Sequence, residues 1–111
     1  MSDRIKRINQ LLKQEVSQLL LKEVDFTDVL VTITRVKTSS DLKYAKINIS
    51  VLPTEKSDLA LKIIERNIFN IQQELNKRLH LRFVPKIRFE IDQLEVKAQK
   101  IEEILSKIDK S

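Results

Sequence analysis

The chain has 111 residues, of which 41% are apolar, so its length suits a single domain over residues 1–111 with a modest core. It contains no cysteine, which excludes disulfides, thiolate zinc sites and cysteine nucleophiles, and no glycine, which argues against P-loops, dinucleotide-binding turns and nucleophile elbows. The formal net charge of +5 favours polyanionic partners.

The first predicted element is an amphipathic helix that runs to about Val24. Ser2 or Asp3 can cap its N-terminus. Apolar residues then recur at spacings of three and four, namely Ile5, Ile8, Leu11, Leu12, Val16, Leu19 and Leu20. This period predicts a helix with one buried face.

A β-hairpin is predicted next. The segment Val29–Val36 is rich in β-branched residues, and Thr38–Asp41 has the composition of a turn. From Leu42 to Val51 apolar and polar residues alternate, which predicts a strand with one buried face. Pro53 is expected to end this strand.

A second helix is predicted from Ser57 through Leu79, which is long enough for a bend. Val84 precedes Pro85 and is therefore expected to be extended, and alternation in the segment 87–91 predicts a third strand. Asp92 lies three residues before Glu95, as in a capping box, so we expect residues 93–111 to form a C-terminal packing helix.

The order α-β-β-α-β-α predicts an α+β fold with a small three-stranded sheet and helices packed on one face. The opposite face of the sheet would then be open. Polar residues from the second and third strands are expected on that face or at its rim.

Nothing in the chain indicates catalysis or metal binding. The only histidine, His80, has no serine or carboxylate at a spacing that marks a catalytic partner. Glu102 and Glu103 are adjacent and would point to different faces of a helix, so they do not form a metal site or an acid/base pair. We therefore expect a non-enzymatic protein with no catalytic residue, no metal and no cofactor.

The positive charge is concentrated in two segments. Residues 29–51 hold four basic residues and one acidic residue, and residues 75–89 hold five basic residues and no acidic one. If the second helix continued through residue 82, Arg78 and Arg82 would lie one turn apart and repel unless they shared an anion such as phosphate. This segregation favours a nucleic-acid-binding face, although a solvated surface remains an alternative.

The aromatic residues do not form the cluster that stacks bases across an RNA-recognition sheet. Phe83 and Phe89 are expected in the core. Tyr44 is the only aromatic residue on the polar face of its predicted strand. Contact with RNA is therefore expected mainly through Lys and Arg side chains, to the backbone.

Three separated blocks of the sequence resemble the bacterial ribosome-binding factor A family. They are VTITRV at 31–36, SSDLKYAKINISVL at 39–52 and ELNKRLHLRFVPKIRFEID at 74–92, and the resemblance extends from Arg7 to about Ile108. It implies a type II KH-like domain whose second helix is divided by a kink. It also implies a non-catalytic factor that binds the immature small (30S) ribosomal subunit and its 16S rRNA and assists late maturation.

Three features of the sequence differ from the pattern of that family. The kink is marked there by Ala-x-Gly, where this chain has Asn67-Ile68-Phe69. A basic residue that follows the kink is replaced by Gln72, and the Asp-Pro before the first strand is represented only by Asp25-Phe26. We expect either a kink made by ordinary residues or a straighter helix, a weaker phosphate site at Gln72, and a different loop.

Charge segregation together with the resemblance predicts the RNA-binding residues. The first group is Lys77, Arg78, Arg82, Lys86 and Arg88, the second patch is Lys43 and Lys46, and the weaker candidates are Arg4 and Arg7. The chain lacks a bilayer-spanning apolar run and a signal peptide, so a cytoplasmic protein that does not bind a membrane is expected. We also expect a monomer with no small-molecule substrate. The alternatives are a KH-like domain that binds another structured RNA and a protein-interaction module with a basic face.

Overall fold

The computed structural model describes residues 3–24, 26, 28–94, 101 and 105. The helices are α1 (Asp3–Glu23), α2 (Ser57–Arg66) and α3 (Ile68–Arg78), and the strands are β1 (Leu30–Thr38), β2 (Tyr44–Leu52) and β3 (Lys86–Ile91), with a 3-10 turn at Thr54–Lys56. This order confirms the predicted succession up to the third strand. Within the described residues, no helix is both long and apolar enough to cross a membrane.

The three strands form one mixed sheet in the order β1-β2-β3. β1 pairs with β2 antiparallel, and β2 pairs with β3 parallel. A parallel pair needs a crossover connection, which α2 and α3 supply. The helices pack against one face of the sheet, so the predicted α+β class with helices on one face is confirmed.

The core lies between that inner face and the helices. The sheet contributes alternate residues, and each helix contributes one apolar stripe. Its buried members are Ile8, Leu12, Val16, Leu19, Leu20, Val24, Ile33, Ala45, Ile47, Ile49, Val51, Ala60, Ile64, Ile71, Leu75, Leu79, Ile87 and Phe89. The alternation in β2 and β3 leaves every intervening residue on the opposite face, which we call the open face.

The β1–β2 turn adopts a backbone conformation that normally favours glycine. Leu42 has φ 63°, and it donates its N–H to the Ser39 carbonyl at 2.9 Å. The Asp41 carboxylate accepts hydrogen bonds from the Ser39 hydroxyl at 2.6 Å and from the Lys43 N–H at 3.1 Å. A bulky residue at positive φ is strained, and these side-chain bonds together with the partial burial of Leu42 stabilise the turn.

The kink between α2 and α3 is present without glycine. Asn67 lies at the junction with φ −102° and ψ 5°, and its amide Nδ2 donates to the Ile63 carbonyl at 2.8 Å. This bond gives a partner to a carbonyl in the last turn of α2, where carbonyl groups have no N–H partner within the helix. Phe69, at the position of the family's glycine, lies within α3 and is 71% exposed. Of the two alternatives expected from the sequence, the kink made by ordinary residues is therefore the one found.

The segment after α3 differs from two expectations. α3 ends at Arg78, because Leu79 is extended (φ −88°, ψ 128°) and turns its side chain into the core. Arg78 and Arg82 therefore do not lie one helical turn apart. Phe83 is 76% exposed rather than buried, since the loop before β3 places Pro85 in the interior instead.

The end of the chain is described only in part. Gln93, Leu94, Ile101 and Leu105 have helical conformation, and the three apolar residues among them are more than half exposed. The other residues of the predicted C-terminal packing helix lie outside the described part, so that helix stays a prediction. Asp25 of the loop before β1 also lies outside it, whereas Phe26 packs against the core.

Candidate nucleic-acid interface

The open face carries a row of cations that crosses all three strands. Lys37 of β1 is the register partner of Lys46 of β2, and Lys46 is the partner of Arg88 of β3. Register partners project to the same side of a sheet and lie close together. All three residues are exposed, so their charges meet on one solvent-facing line.

The rows on either side extend this positive surface. Tyr44 pairs with Lys86 on one side, and Arg35 pairs with Asn48 on the other. Tyr44 is 60% exposed. The open-face residues of these three rows are therefore Arg35, Lys37, Tyr44, Lys46, Asn48, Lys86, Arg88 and Glu90, in which five cations face one carboxylate.

Glu90 lies beside the row without neutralising it. Its carboxylate is 3.4 Å from the Lys46 ammonium and 3.3 Å from the Arg88 guanidinium. Ion pairs between exposed side chains contribute about 0–1 kcal/mol and compete with water. Lys46 and Arg88 therefore remain accessible to a polyanion.

Asp92 connects the two outer strands above this face. Its buried carboxylate, only 3% exposed, accepts a 2.6 Å hydrogen bond from the Thr34 hydroxyl and bonds from Arg35 at 3.1 and 3.3 Å. The Thr34 hydrogen bond is the main cause that lowers the pKa of Asp92 below its usual value, with a further contribution from Arg35. Asp92 therefore remains a carboxylate that fixes β1 relative to the end of β3.

A cleft at one end of the domain unites three predicted cations from separate segments. Arg4 of α1, Lys43 of the β1–β2 turn and Arg82 of the loop before β3 line it together. Its other lining residues are Ile8, Asp41, Leu42, Leu81, Phe83, Val84 and Pro85, and its volume is about 610 Å³. We call this the end cleft. It adjoins the open face, because the Lys86 N–H donates to the Lys43 carbonyl at 2.9 Å.

Two other predicted cations lie in the helix layer. The Arg78 guanidinium is 3.5 Å from the Glu15 carboxylate and 3.4 Å from the Gln18 side-chain oxygen, so it joins α3 to α1. Lys77 is 3.6 Å from Glu74 on its own helix. Neither lines the end cleft or the open face.

Arg7 occupies a third position. It is exposed on α1, and it is not among the residues that line the end cleft. The predicted cations are thus divided among the open face, the end cleft and the helix layer. Their binding roles stay predictions.

Gln72 has a structural role at the position where a basic residue was expected. Its amide nitrogen Nε2 donates a hydrogen bond to the Pro85 carbonyl at 3.1 Å, and its amide oxygen Oε1 accepts one from the Ile87 N–H at 2.9 Å. These two bonds fasten the start of β3 to α3. A lysine or arginine could not accept the second bond, because neither side chain has an acceptor.

Sequence reasoning missed two features of this surface. Lys37 was not among the candidates. Its place opposite Lys46 follows from the pair that closes the hairpin, in which the Ser39 N–H donates to the Tyr44 carbonyl at 2.8 Å. Phe83 was expected in the core, and no pattern in the sequence indicated its exposure. In the part of the chain that the structure describes, no group of three or more metal-ligating side chains occurs.

Comparison with known proteins places the chain in a family. The ribosome-binding factor A from Coprothermobacter proteolyticus is 34% identical over 108 residues, an alignment that covers 96% of this chain and 79% of that protein. The crystal structure of ribosome-binding factor A from Thermus thermophilus superposes with a TM-score of 0.69 at 17% identity, covering 78% of this chain and 93% of that one.

A second Thermus thermophilus structure adds a partner for that protein. It is a homology model of ribosome binding factor A fitted into the cryo-EM map of a 30S–RbfA complex, with a TM-score of 0.63 at 19% identity, covering 74% of this chain and 88% of that one. At such identities the two structures support the fold alone. The family profile for ribosome-binding factor A matches residues 4–105, and the chain therefore belongs to the ribosome-binding factor A family.

Proposed function

We propose that this protein binds the immature small (30S) ribosomal subunit through its 16S rRNA and assists late maturation of that rRNA without catalysing a reaction. It acts in the cytoplasm, where the subunit is assembled. Family membership supports this proposal. The Thermus thermophilus complex supports it further, because that relative is described bound to a 30S subunit.

The observation that carries the RNA-binding part is the row Lys37, Lys46 and Arg88 on the open face. Like charges directly opposite one another on neighbouring strands destabilise a sheet by a fraction of a kcal/mol. A single carboxylate, Glu90, offsets only part of this repulsion. The phosphates of an RNA backbone carry negative charges at regular spacing, so they can pair with the three cations of this row.

The chemistry of the open face favours contact with phosphates over base recognition. Lys and Arg side chains contact phosphates, and such contacts position a protein without reading sequence. Tyr44 is the only aromatic residue among the open-face residues. Recognition of the subunit by this face therefore depends on the shape of its RNA and on the spacing of its phosphates.

A charge-matched pair of double variants tests the proposal. Lys46→Gln with Arg88→Gln removes two charges from the open face, and Lys62→Gln with Arg66→Gln removes two exposed charges from α2 in the helix layer. Binding of each to purified small subunits is measured by sedimentation over a series of salt concentrations. The open-face variant should bind about tenfold more weakly, with a log K against log salt slope shallower by about 1.4, since each lost contact to single-stranded RNA removes about 0.7.

The control variant should bind as the unaltered protein does, and both variants should keep their melting temperatures. Equal loss in both variants would show that only net charge matters and would contradict the assignment of the face. Equal binding of the unaltered protein to an unrelated structured RNA would favour a general RNA-binding domain. Binding to an acidic protein but not to subunits at low salt would favour an interaction module.

A further inference from the structure

The end cleft combines an apolar surface with an exposed aromatic ring. Leu42, Leu81, Val84 and Pro85 line it, and the Phe83 ring is 76% exposed at its edge. An exposed aromatic ring that continues into an apolar-lined cleft can serve as a binding surface. The volume of about 610 Å³ lies within the range of roughly 300–1,000 Å³ found for small-ligand sites.

Cations from three segments surround this apolar surface. Arg4, Lys43 and Arg82 line the cleft, and the Arg82 guanidinium carbon lies 5.5 Å from the centre of the Phe83 ring. A guanidinium near an aromatic ring can contact a phosphate while the other side of the ring stacks on a flat apolar group. The cleft therefore offers both an anion site and a stacking surface.

One acidic residue restricts where an anion can lie in the cleft. The hydrogen bond from the Ser39 hydroxyl lowers the pKa of Asp41, with a smaller contribution from the Lys43 N–H, so this residue stays a carboxylate. A carboxylate repels phosphate. Lys43 donates its N–H to the Asp41 carboxylate and so lies beside it, whereas Arg82 belongs to another segment and lies over the Phe83 ring. These contacts favour Arg82 over Lys43 for the phosphate and leave the remaining volume for an uncharged group.

We propose that the end cleft binds one unstacked nucleotide of single-stranded RNA, with its base on the Phe83 ring and its phosphate against Arg82. This inference rests on the proposed RNA-binding function and adds to it a base contact that the open face does not provide. The neighbouring nucleotides continue over Lys86 towards the open face, because the Lys43–Lys86 backbone bond joins the two surfaces. Base–aromatic stacking tolerates any base, so the site selects unpaired RNA rather than a sequence.

A fluorescent base analogue tests the stacking directly. The full-length chain is titrated into a single-stranded RNA octamer that carries one 2-aminopurine, whose fluorescence falls when it stacks; the chain has no tryptophan to interfere. Phe83→Leu removes the aromatic ring and keeps an apolar side chain. Phe69→Leu is the matched control, because Phe69 is 71% exposed on α3, outside the residues that line the cleft.

The unaltered protein and the Phe69→Leu variant should quench the fluorescence, and Phe83→Leu should bind the octamer about tenfold more weakly with little quenching. All three should melt at the same temperature, since neither phenylalanine is buried. Quenching that survives in Phe83→Leu, or no quenching by the unaltered protein, would overturn the inference. An acidic peptide that binds the unaltered protein and displaces the octamer without loss in Phe83→Leu would also overturn it.

Sedimentation with small subunits separates this result from the proposed function. If the unaltered protein binds subunits and Phe83→Leu binds them equally well, the cleft inference is wrong and the proposed function stands. If the unaltered protein binds the octamer through Phe83 but does not bind subunits, the proposed function is wrong and the nucleotide site stands.

Discussion

Replacement of Asp92 by asparagine removes one negative charge from a buried position that joins two strands. The carboxylate accepts four hydrogen bonds, from the Thr34 hydroxyl, from two nitrogens of Arg35 and from the Leu94 N–H at 3.0 Å. The asparagine oxygen can keep the bond from Thr34. At the position of Oδ2 it also keeps the bond from Arg35 Nε. The amide group then lies at the position of Oδ1, where it is a donor and cannot accept the bonds from the other Arg35 nitrogen and from the Leu94 N–H.

The magnitude follows from what the substitution leaves without a partner. A hydrogen bond to a charged group contributes about 1.5–3 kcal/mol. Arg35 is 55% exposed and can turn to water, and the Thr34 hydroxyl has the Asn48 carbonyl at 3.2 Å as a second acceptor. The loss of stability is therefore closer to the contribution of one such hydrogen bond than to that of four. We expect Asp92→Asn to lower the free energy of unfolding by about 2 kcal/mol at neutral pH, or the melting temperature by roughly 10 °C.

This difference should depend on pH in a defined direction. The folded-state pKa of Asp92 is lowered, so its ionised form contributes stability that is fully present above the unfolded pKa of about 3.9. That contribution is lost as the pH falls through the lower, folded-state value. The difference in free energy of unfolding between the unaltered protein and the Asp92→Asn variant should be constant from pH 7 to about pH 5 and should become smaller below about pH 4.

Urea denaturation followed by circular dichroism at pH 7, 5 and 3 measures both the size and the pH dependence of this gap. Arg35→Gln is an informative companion, because it removes one partner of Asp92 while leaving the Thr34 bond, and it should cost less than Asp92→Asn. A gap that stays the same down to pH 3 would refute the reasoning, since it would mean that the charge of Asp92 does not contribute.

Two further substitutions test the connections of α3. Gln72→Ala removes the bonds to the Pro85 carbonyl and the Ile87 N–H and should lower the free energy of unfolding by about 1–2 kcal/mol, measured by urea denaturation; an unchanged midpoint would argue against this role. Arg78→Gln breaks the ion pair with Glu15, so it should lower the free energy of unfolding by about 0–1 kcal/mol, measured in the same way. If Arg78 also binds RNA, as its sequence context predicts, this variant should in addition sediment less with small subunits, and unchanged sedimentation would contradict that role.

Periodicity predicted most of the elements because each one buries a single face. The alternation of Ala45, Ile47 and Ile49 places β2 correctly, and the three- and four-residue spacing from Ile8 to Leu20 places α1. The end of α3 was harder to predict. Leu79 continues the apolar spacing of the helix and is buried, but its own backbone is extended. Spacing alone does not distinguish these two ways to bury one side chain.

The candidate site could be predicted by residue type but not by arrangement. A segment with five cations between residues 76 and 89 suggested one patch, whereas the fold sends Arg78 to the helix layer, Arg82 to the end cleft and Arg88 to the open face. Arg4 and Arg82 line the same cleft although they are far apart in the sequence. Such neighbours follow from the sheet order and the crossover, which local patterns do not encode.

The charge row of the open face depends on the same strand register that builds the core. Lys46 lies between Ala45 and Ile47, whose side chains enter the interior, so a one-residue slip of β2 would bury its charge and expose the apolar residues. The cost of burying an ammonium without a partner far exceeds the repulsion between Lys37, Lys46 and Arg88. Core packing therefore holds three like charges in line against their own repulsion, and an anion bound along that line lowers the energy of the folded protein. Binding of RNA to the open face should accordingly raise the melting temperature, by an amount that decreases as salt is added.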